Sequence, residues 1–179
     1  MRALWFLALA ACAPVGAALP PGYPPQIGTV TATLNGKAEA WDTYDYSVGA
    51  LDAAVQITAF NGVQFHLMGD PGGKPNGAAN RLLIKGGMRS ASALGALTDP
   101  VIEIIAGETF DGARLTSIGA PVAVSLDSLT PMTAGGYGHV TGHFKATLCG
   151  ATGQPAQINR AACQPFEGIF TSDLQISGS

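Results

Sequence analysis

The sequence predicts an all-β domain, an antiparallel β-sandwich or small barrel of about 8–10 strands, and three observations predict it. From Ile27 onward the apolar segments are short and rich in Val, Ile, Thr and Phe, and Gly, Asn, Asp or Pro interrupts them about every 8–12 residues. Asn35-Gly36 and Asn61-Gly62 carry the strongest short-range hairpin signal. Helix is scarce, because only Ser90–Thr98 and Val48–Ala54 have a composition that could turn once or twice, and a glycine weakens both.

The expected strands are 28–34, 37–42, 54–60, 63–68, 80–86, 100–105, 112–118, 121–126, 138–149 and 165–176. Side-chain alternation sets a register for each hairpin. With Phe60-Asn61-Gly62 as a three-residue loop, Ala59 faces Val63, Ile57 faces Phe65 and Val55 faces Leu67, so one face is wholly apolar. The same choice at Leu34-Asn35-Gly36 pairs Ala32 with Ala38 and Val30 with Ala40, leaving Thr33 beside Lys37 and Thr31 beside Glu39 outside. In the last pair of strands, apolar or small residues alternate with polar ones from Val140 to Leu148. Setting Cys149 opposite Cys163 places Lys145 opposite Glu167, Thr141 opposite Thr171 and His139 opposite Asp173 on the outer face. On the inner face Phe144 then covers Gly168 and Phe170 covers Gly142, so each ring fills the space of a missing side chain.

The N-terminus reads as an address. A short apolar run follows Arg2 and closes on Leu9-Ala10-Ala11-Cys12, which resembles a bacterial lipobox. That resemblance implies a signal peptide over residues 1–11, a lipid on Cys12 and attachment to a membrane of the cell envelope. Ala13 stands where inner-membrane lipoproteins carry a retaining aspartate, which favours the outer membrane. Small residues at Val15-Gly16-Ala17-Ala18 offer an ordinary cleavage site instead, and with it a secreted or periplasmic soluble protein. A span of the bilayer is the least expected reading of this run, which has about half of the roughly 20 apolar residues that crossing needs. Residues 12–26 hold the lipidation site and a tether in which 13–25 contain five prolines and no charge. In polyproline II geometry such a segment reaches roughly 40 Å. Residues 27–179 form the β domain.

Without residues 1–11, eight Lys and Arg face twelve Asp and Glu, a net charge of −4 with no basic cluster, so nucleic acid is not an expected partner. The two remaining cysteines, Cys149 and Cys163, read as a disulfide in an oxidising compartment. The C-terminal pattern Gly142-x-Phe144-x-Ala146-x-Leu148-Cys149, then Cys163 and Phe166-Glu167-Gly168-x-Phe170, resembles the end of uncharacterised secreted β-rich bacterial lipoproteins. The resemblance covers about forty residues besides the signal and carries no activity to transfer.

No motif with a reaction mechanism is present, so no catalytic residue, metal or cofactor is expected. On a strand His139 and His143 stand roughly 13 Å apart, too far to share one zinc ion. Gly69-Asp70-Pro71-Gly72-Gly73-Lys74-Pro75 lacks the spacing and the Ser or Thr of a phosphate loop and reads as a turn-rich loop. His66 is expected on the outer face of its hairpin. Trp41, Tyr44 and Tyr46, interleaved with Asp42 and Asp45, are a candidate carbohydrate or peptide platform, or else a strand end tucking its rings into the core. The function expected is a lipid-anchored envelope protein whose β domain binds or scaffolds an unidentified envelope partner without catalysis. Two alternatives make different demands. A lipocalin-like carrier of a small apolar ligand needs a sizeable apolar cavity, and a hydrolase without a recognisable motif needs a cleft holding a raised-pKa carboxylate or an activated serine.

Overall fold

A computed structural model describes residues 23–46, 51–58, 62–75, 79–107, 112–131, 136–153 and 155–178. Cys12, the expected signal segment, most of the expected tether and Val48–Ala50 lie outside the described residues. The strands are β1 (Gln26–Leu34), β2 (Lys37–Tyr44), β3 (Ala53–Thr58), β4 (Gly62–Pro71), β5 (Arg81–Met88), β6 (Gly95–Ala96), β7 (Thr98–Ile105), β8 (Arg114–Thr116), β9 (Val122–Pro131), β10 (Tyr137–Thr152) and β11 (Gln157–Gly178). No helix occurs among the described residues. The two expected helical turns resolve differently. Ser90–Thr98 contains one turn, closed by Ala93 N–H on Ser90 C=O, and then the short β6, while Ala53 and Ala54 open β3.

One sheet contains every strand and closes in a ring. Its course is β11–β3–β4–β5–β7–β8–β10 and back to β11, with β11–β3 the parallel pair and the others antiparallel. Closure depends on the length of the last two strands. A strand of 22 residues outruns its partners at about 3.3 Å per residue, so β11 pairs along one edge with β1 from Phe166 to Ser172 and with β3 from Gln175 to Gly178. β10 likewise takes β9 at Gly138–Ala146 and β8 at Cys149–Ala151. β1 and β2 flank one side, and β2 touches β4 through Trp41–Pro71 and Asp42–Asp70.

The interior is filled by side chains from opposite parts of the ring. Phe65 of β4 stacks on Phe170 of β11 at 5.8 Å, while Phe166 meets Phe144 at 4.8 Å and Trp41, in a T-shaped contact, at 5.8 Å. Val30, Leu67, Leu82, Ile84, Ile102, Leu148 and Leu174 complete a core with no solvent exposure at these seven positions. That packing is why alternating apolar residues become strands here: each supplies one inward row to a shared core.

The C-terminal register is the one the sequence prescribes. Cys149–Cys163, Lys145–Glu167, Phe144–Gly168, Gly142–Phe170, Thr141–Thr171 and His139–Asp173 are all paired, and the two sulfurs are bonded. The other two hairpins need correction. At Asn35-Gly36 the loop has two residues, both left-handed (φ 49° and 79°), and the pairs are Leu34–Lys37, Ala32–Glu39 and Val30–Trp41. A two-residue turn of this type follows the natural twist of the strands, and it turns Trp41 inward. Ala38 and Ala40, whose size suggested an inner face, are exposed. At the second hairpin Val55 faces Phe65 and Ile57 faces Val63, two residues away from the expected pairing. A slip of two preserves the faces, because side chains alternate with period two.

The disulfide closes a loop of sequence separation 14. Its reduction is expected to remove about 3 kcal/mol of stability in the chain-entropy model while leaving the fold intact. Thermal melts with and without reductant check this, and unchanged melting temperatures would show that the bond contributes nothing.

Candidate functional site

Three regions bring functional side chains together. The first is the corner where β2 ends. Trp41 is 4% exposed, its ring nearly perpendicular to that of Phe166 and its Nε1 donating to Asn80 C=O at 2.7 Å, and Tyr44 is fully buried. Neither ring therefore presents a face to solvent: Trp41 and Tyr44 follow the second of the two expected readings, rings tucked into the core, and of the candidate platform the half-buried Tyr46 remains. What the corner holds instead is carboxylates. Asp52 and Asp70 are each 3% exposed. Asp52 accepts from the Tyr44 N–H at 2.8 Å, and Asp70 accepts from the Tyr46 hydroxyl at 2.9 Å. Asp42 accepts from the Gly73 N–H at 2.7 Å, from Gln26 Nε2 at 2.8 Å and, more weakly, from the Tyr44 hydroxyl at 3.4 Å.

Burial pushes the Asp52 carboxyl up to about 7, with the charge of Asp70 adding to the rise and the Tyr44 N–H and Arg81 opposing it. The Tyr44 phenol is pushed up to about 12, first by burial and then by Asp42. His66 alternates with the inward Phe65 and Leu67 and so takes the outer face as expected, but it is half-buried there opposite Ala54 and Lys85, and burial lowers its pKa. A raised carboxylate was one mark expected of a hydrolase, but Asp52 lines none of the three surface depressions described below. A general acid must reach its substrate, and this one is sealed.

The second region is the outer face of β1, β11, β10 and β9. His139 Nδ1 lies 2.7 Å from Asp173 Oδ1, and its Nε2 lies 3.0 Å from the Thr171 hydroxyl. Alternation predicts the His139–Asp173 pair; the contact to Thr171, diagonal across the ladder, was missed. So was Asp127 beside His143, at 2.9 Å, because β9 runs five residues beyond the expected end at 126. Asp173, His139 and Thr171 copy the order of a nucleophilic triad, yet the rest of that machinery is not supplied. Thr171 sits in the ladder between Thr29 and Thr141, so the sheet uses the backbone groups beside it that would otherwise hold an oxyanion. Each histidine is occupied by its own carboxylate, and no group of three or more metal-ligating side chains occurs among the described residues.

The third region is the set of surface depressions. One of about 240 Å³ lies on this outer face, between Thr29, Thr31, Thr141 and Thr171, with Ile169 and Phe170 supplying its apolar part. A second, of about 250 Å³, follows the turn from Met88 to Leu97. The last, of about 270 Å³, opens beside Trp41, with Leu34, Ile104 and Leu115 below and Lys37 and Glu39 on its rim. All three are open to solvent. The space inside the ring, where a lipocalin-like carrier would hold its ligand, is taken by the aromatic core.

Compared with known proteins, the chain matches no family model, no curated protein and no solved structure.

Proposed function

We propose that the chain is a cell-envelope protein anchored through a lipid on Cys12, with a β domain that acts as a non-catalytic binding or scaffolding module. The observation that carries the binding role is the outer face around Ile169. That side chain is 62% exposed in the middle of a four-stranded surface, beside a shallow depression. The polar groups around it are already matched: Ser128 with Thr141 at 2.7 Å, His143 with Asp127 at 2.9 Å and Lys145 with Glu167 at 3.6 Å. A partner covering such a face buries an apolar centre and needs to desolvate no unpaired charge there, which suits contact better than chemistry. The filled interior favours this role over a carrier, and the sealed Asp52 favours it over a hydrolase. The anchor itself rests on Leu9-Ala10-Ala11-Cys12 and the proline-rich segment behind it.

Metabolic labelling and crosslinking test the two halves separately. Wild type is expected to incorporate labelled palmitate and to fractionate with membranes, and Cys12→Ser to do neither. A mature N-terminus at Ala18 or Leu19, found by intact mass, would rule out the anchor. For the module, a photocrosslinking side chain at Ile169 is expected to capture one discrete envelope partner that the same side chain at Ile118, 43% exposed outside this face, does not. Equal capture from both positions would remove the outer face from consideration.

A further inference from the structure

We propose that Asp52, buried beside Asp70, is a proton-held latch on the corner joining the end of β2 to β3 and β4, closed while Asp52 holds its proton and loosened when it is charged. Asp52 makes three connections there. Its carboxylate accepts from Tyr44 N–H at 2.8 Å, its own N–H donates to Tyr44 C=O at 3.1 Å, and its C=O accepts from Met68 N–H at 2.7 Å. The end of β2 is thus tied to β4 through one residue. Asp70 of β4 adds the bond to the Tyr46 hydroxyl, and the bridge between Asp45 and Leu51 lies between the two attachments.

The charged and titratable groups facing Asp52 are Asp70 on β4, Arg81 on β5 and Tyr44 on β2, with Asp42 behind Tyr44 and Tyr46 beyond Asp70. Tyr44 stays protonated through the neutral range, so the balance lies between two carboxylates and Arg81. A proton on Asp52 removes one negative charge from a corner where Asp52 and Asp70 are each 3% exposed. Without it, two like charges occupy a site from which water is excluded, and opening the corner relieves both repulsion and desolvation.

The direction follows from linkage. Asp52 holds its proton up to about pH 7 in the closed corner, whereas an opened corner returns it to the ordinary value of 3.8. Closure is therefore fully favoured below about pH 4, weakens by about tenfold per pH unit between about 4 and 7, and levels off above. His66 on β4 acts oppositely: burial lowers its pKa, so its contribution is present above its ordinary value of 6.5 and is lost as pH falls. The latch must be read at the corner, with Asp52 as the variable.

Amide hydrogen exchange followed by NMR, corrected for the intrinsic dependence on pH, provides that measurement. Protection of the Tyr44 and Met68 amides in wild type is expected to fall about tenfold per unit from pH 4.5 to 7 and then stay level to pH 8.5. Asp52→Asn should abolish the slope at both amides. Asp70→Asn should keep the slope but bring the level region to lower pH, because the neighbouring negative charge is gone. A flat wild-type profile, or a slope that survives in Asp52→Asn, would overturn the latch. If Asp52→Asn does not fold, Asp70→Asn decides alone, and an unmoved profile there overturns it equally.

Discussion

Replacing Phe170 by Ala is expected to cost about 3–5 kcal/mol of unfolding free energy, the range for removing a buried aromatic ring from a core that cannot collapse around the gap. The ring is 2% exposed, stacks on Phe65 across the interior at 5.8 Å, and lies over Gly142 of the neighbouring strand. Gly142 is glycine for the same reason: a Cβ there would run into the Phe170 ring, 2.8 Å from Cε1, and into the Ser125 carbonyl across the ladder. Relaxation is therefore blocked on both sides, since Gly142 has no side chain to swing into the hole and Phe65 is fixed by its own full burial. The contrasting variant is His139→Ala with His143→Ala. Those side chains sit on the outer face at 41% and 57% exposure, and the double change should stay within about 0.5 kcal/mol of wild type, as surface substitutions do. Urea titrations of both variants decide the matter. Equal losses would mean that the outer face supports the fold as strongly as the core does.

Phe170 and Gly142 were legible in the sequence because three independent constraints meet on the C-terminal hairpin. Charge pairs Lys145 with Glu167, size pairs rings with glycines, and the thiols fix the end, so a slip of one residue would violate all three at once. The match is incomplete in one detail. The space above Gly168 is bounded most closely by Thr31 and Ala32 of β1, a strand that no local pattern places there. The first hairpin misled because the alternation was read from Ala38 and Ala40, which are compatible with either face. Trp41 was the stronger signal, since burying one indole outweighs two methyl groups. Strand lengths were underestimated for a related reason. Local composition marks where a strand is apolar, whereas ring closure keeps β10 and β11 extended through polar stretches to reach β8 and β3.

The corner of carboxylates left a fainter trace. Asp52 stands alone inside Leu51-Asp52-Ala53-Ala54-Val55, a charge within an otherwise apolar run just ahead of the strand. That anomaly marks a buried acid. It does not identify Asp70 as the neighbour, eighteen residues on in a segment whose glycines and prolines suggested only a turn. The two meet because β4 continues through Gly69-Asp70-Pro71 and pairs Asp70 with Asp42 of β2, a contact made by topology.

Arg114→Met should be nearly as costly as Phe170→Ala, and the reason lies in the narrowest part of the ring. β8 has three residues, and it alone joins β7 to β10. Arg114, the first of them, is 8% exposed and makes an ion pair with the equally buried Glu103 of β7, Nε to Oε1 at 3.2 Å. Its other nitrogens donate to the Gly153 carbonyl at 3.2 Å and, longer, to that of Gly112 at 3.4 Å, so one guanidinium holds β7, β8 and the turn after β10 together. Removing it strands the Glu103 carboxylate in a dry site, for which the expected loss is about 3–5 kcal/mol. A pair of this kind costs so much desolvation that its net worth is small, and the penalty for breaking it comes from the charge left behind. Removing both charges should then restore stability. Glu103→Leu added to Arg114→Met is expected to recover at least half of the loss, the unrecovered part reflecting the two glycine carbonyls that lose their donor. Chemical denaturation of the two single variants and the double variant gives the coupling energy directly. Additive losses, with no coupling above about 0.5 kcal/mol, would show that Arg114 acts through those carbonyls and that Glu103 is no part of the closure.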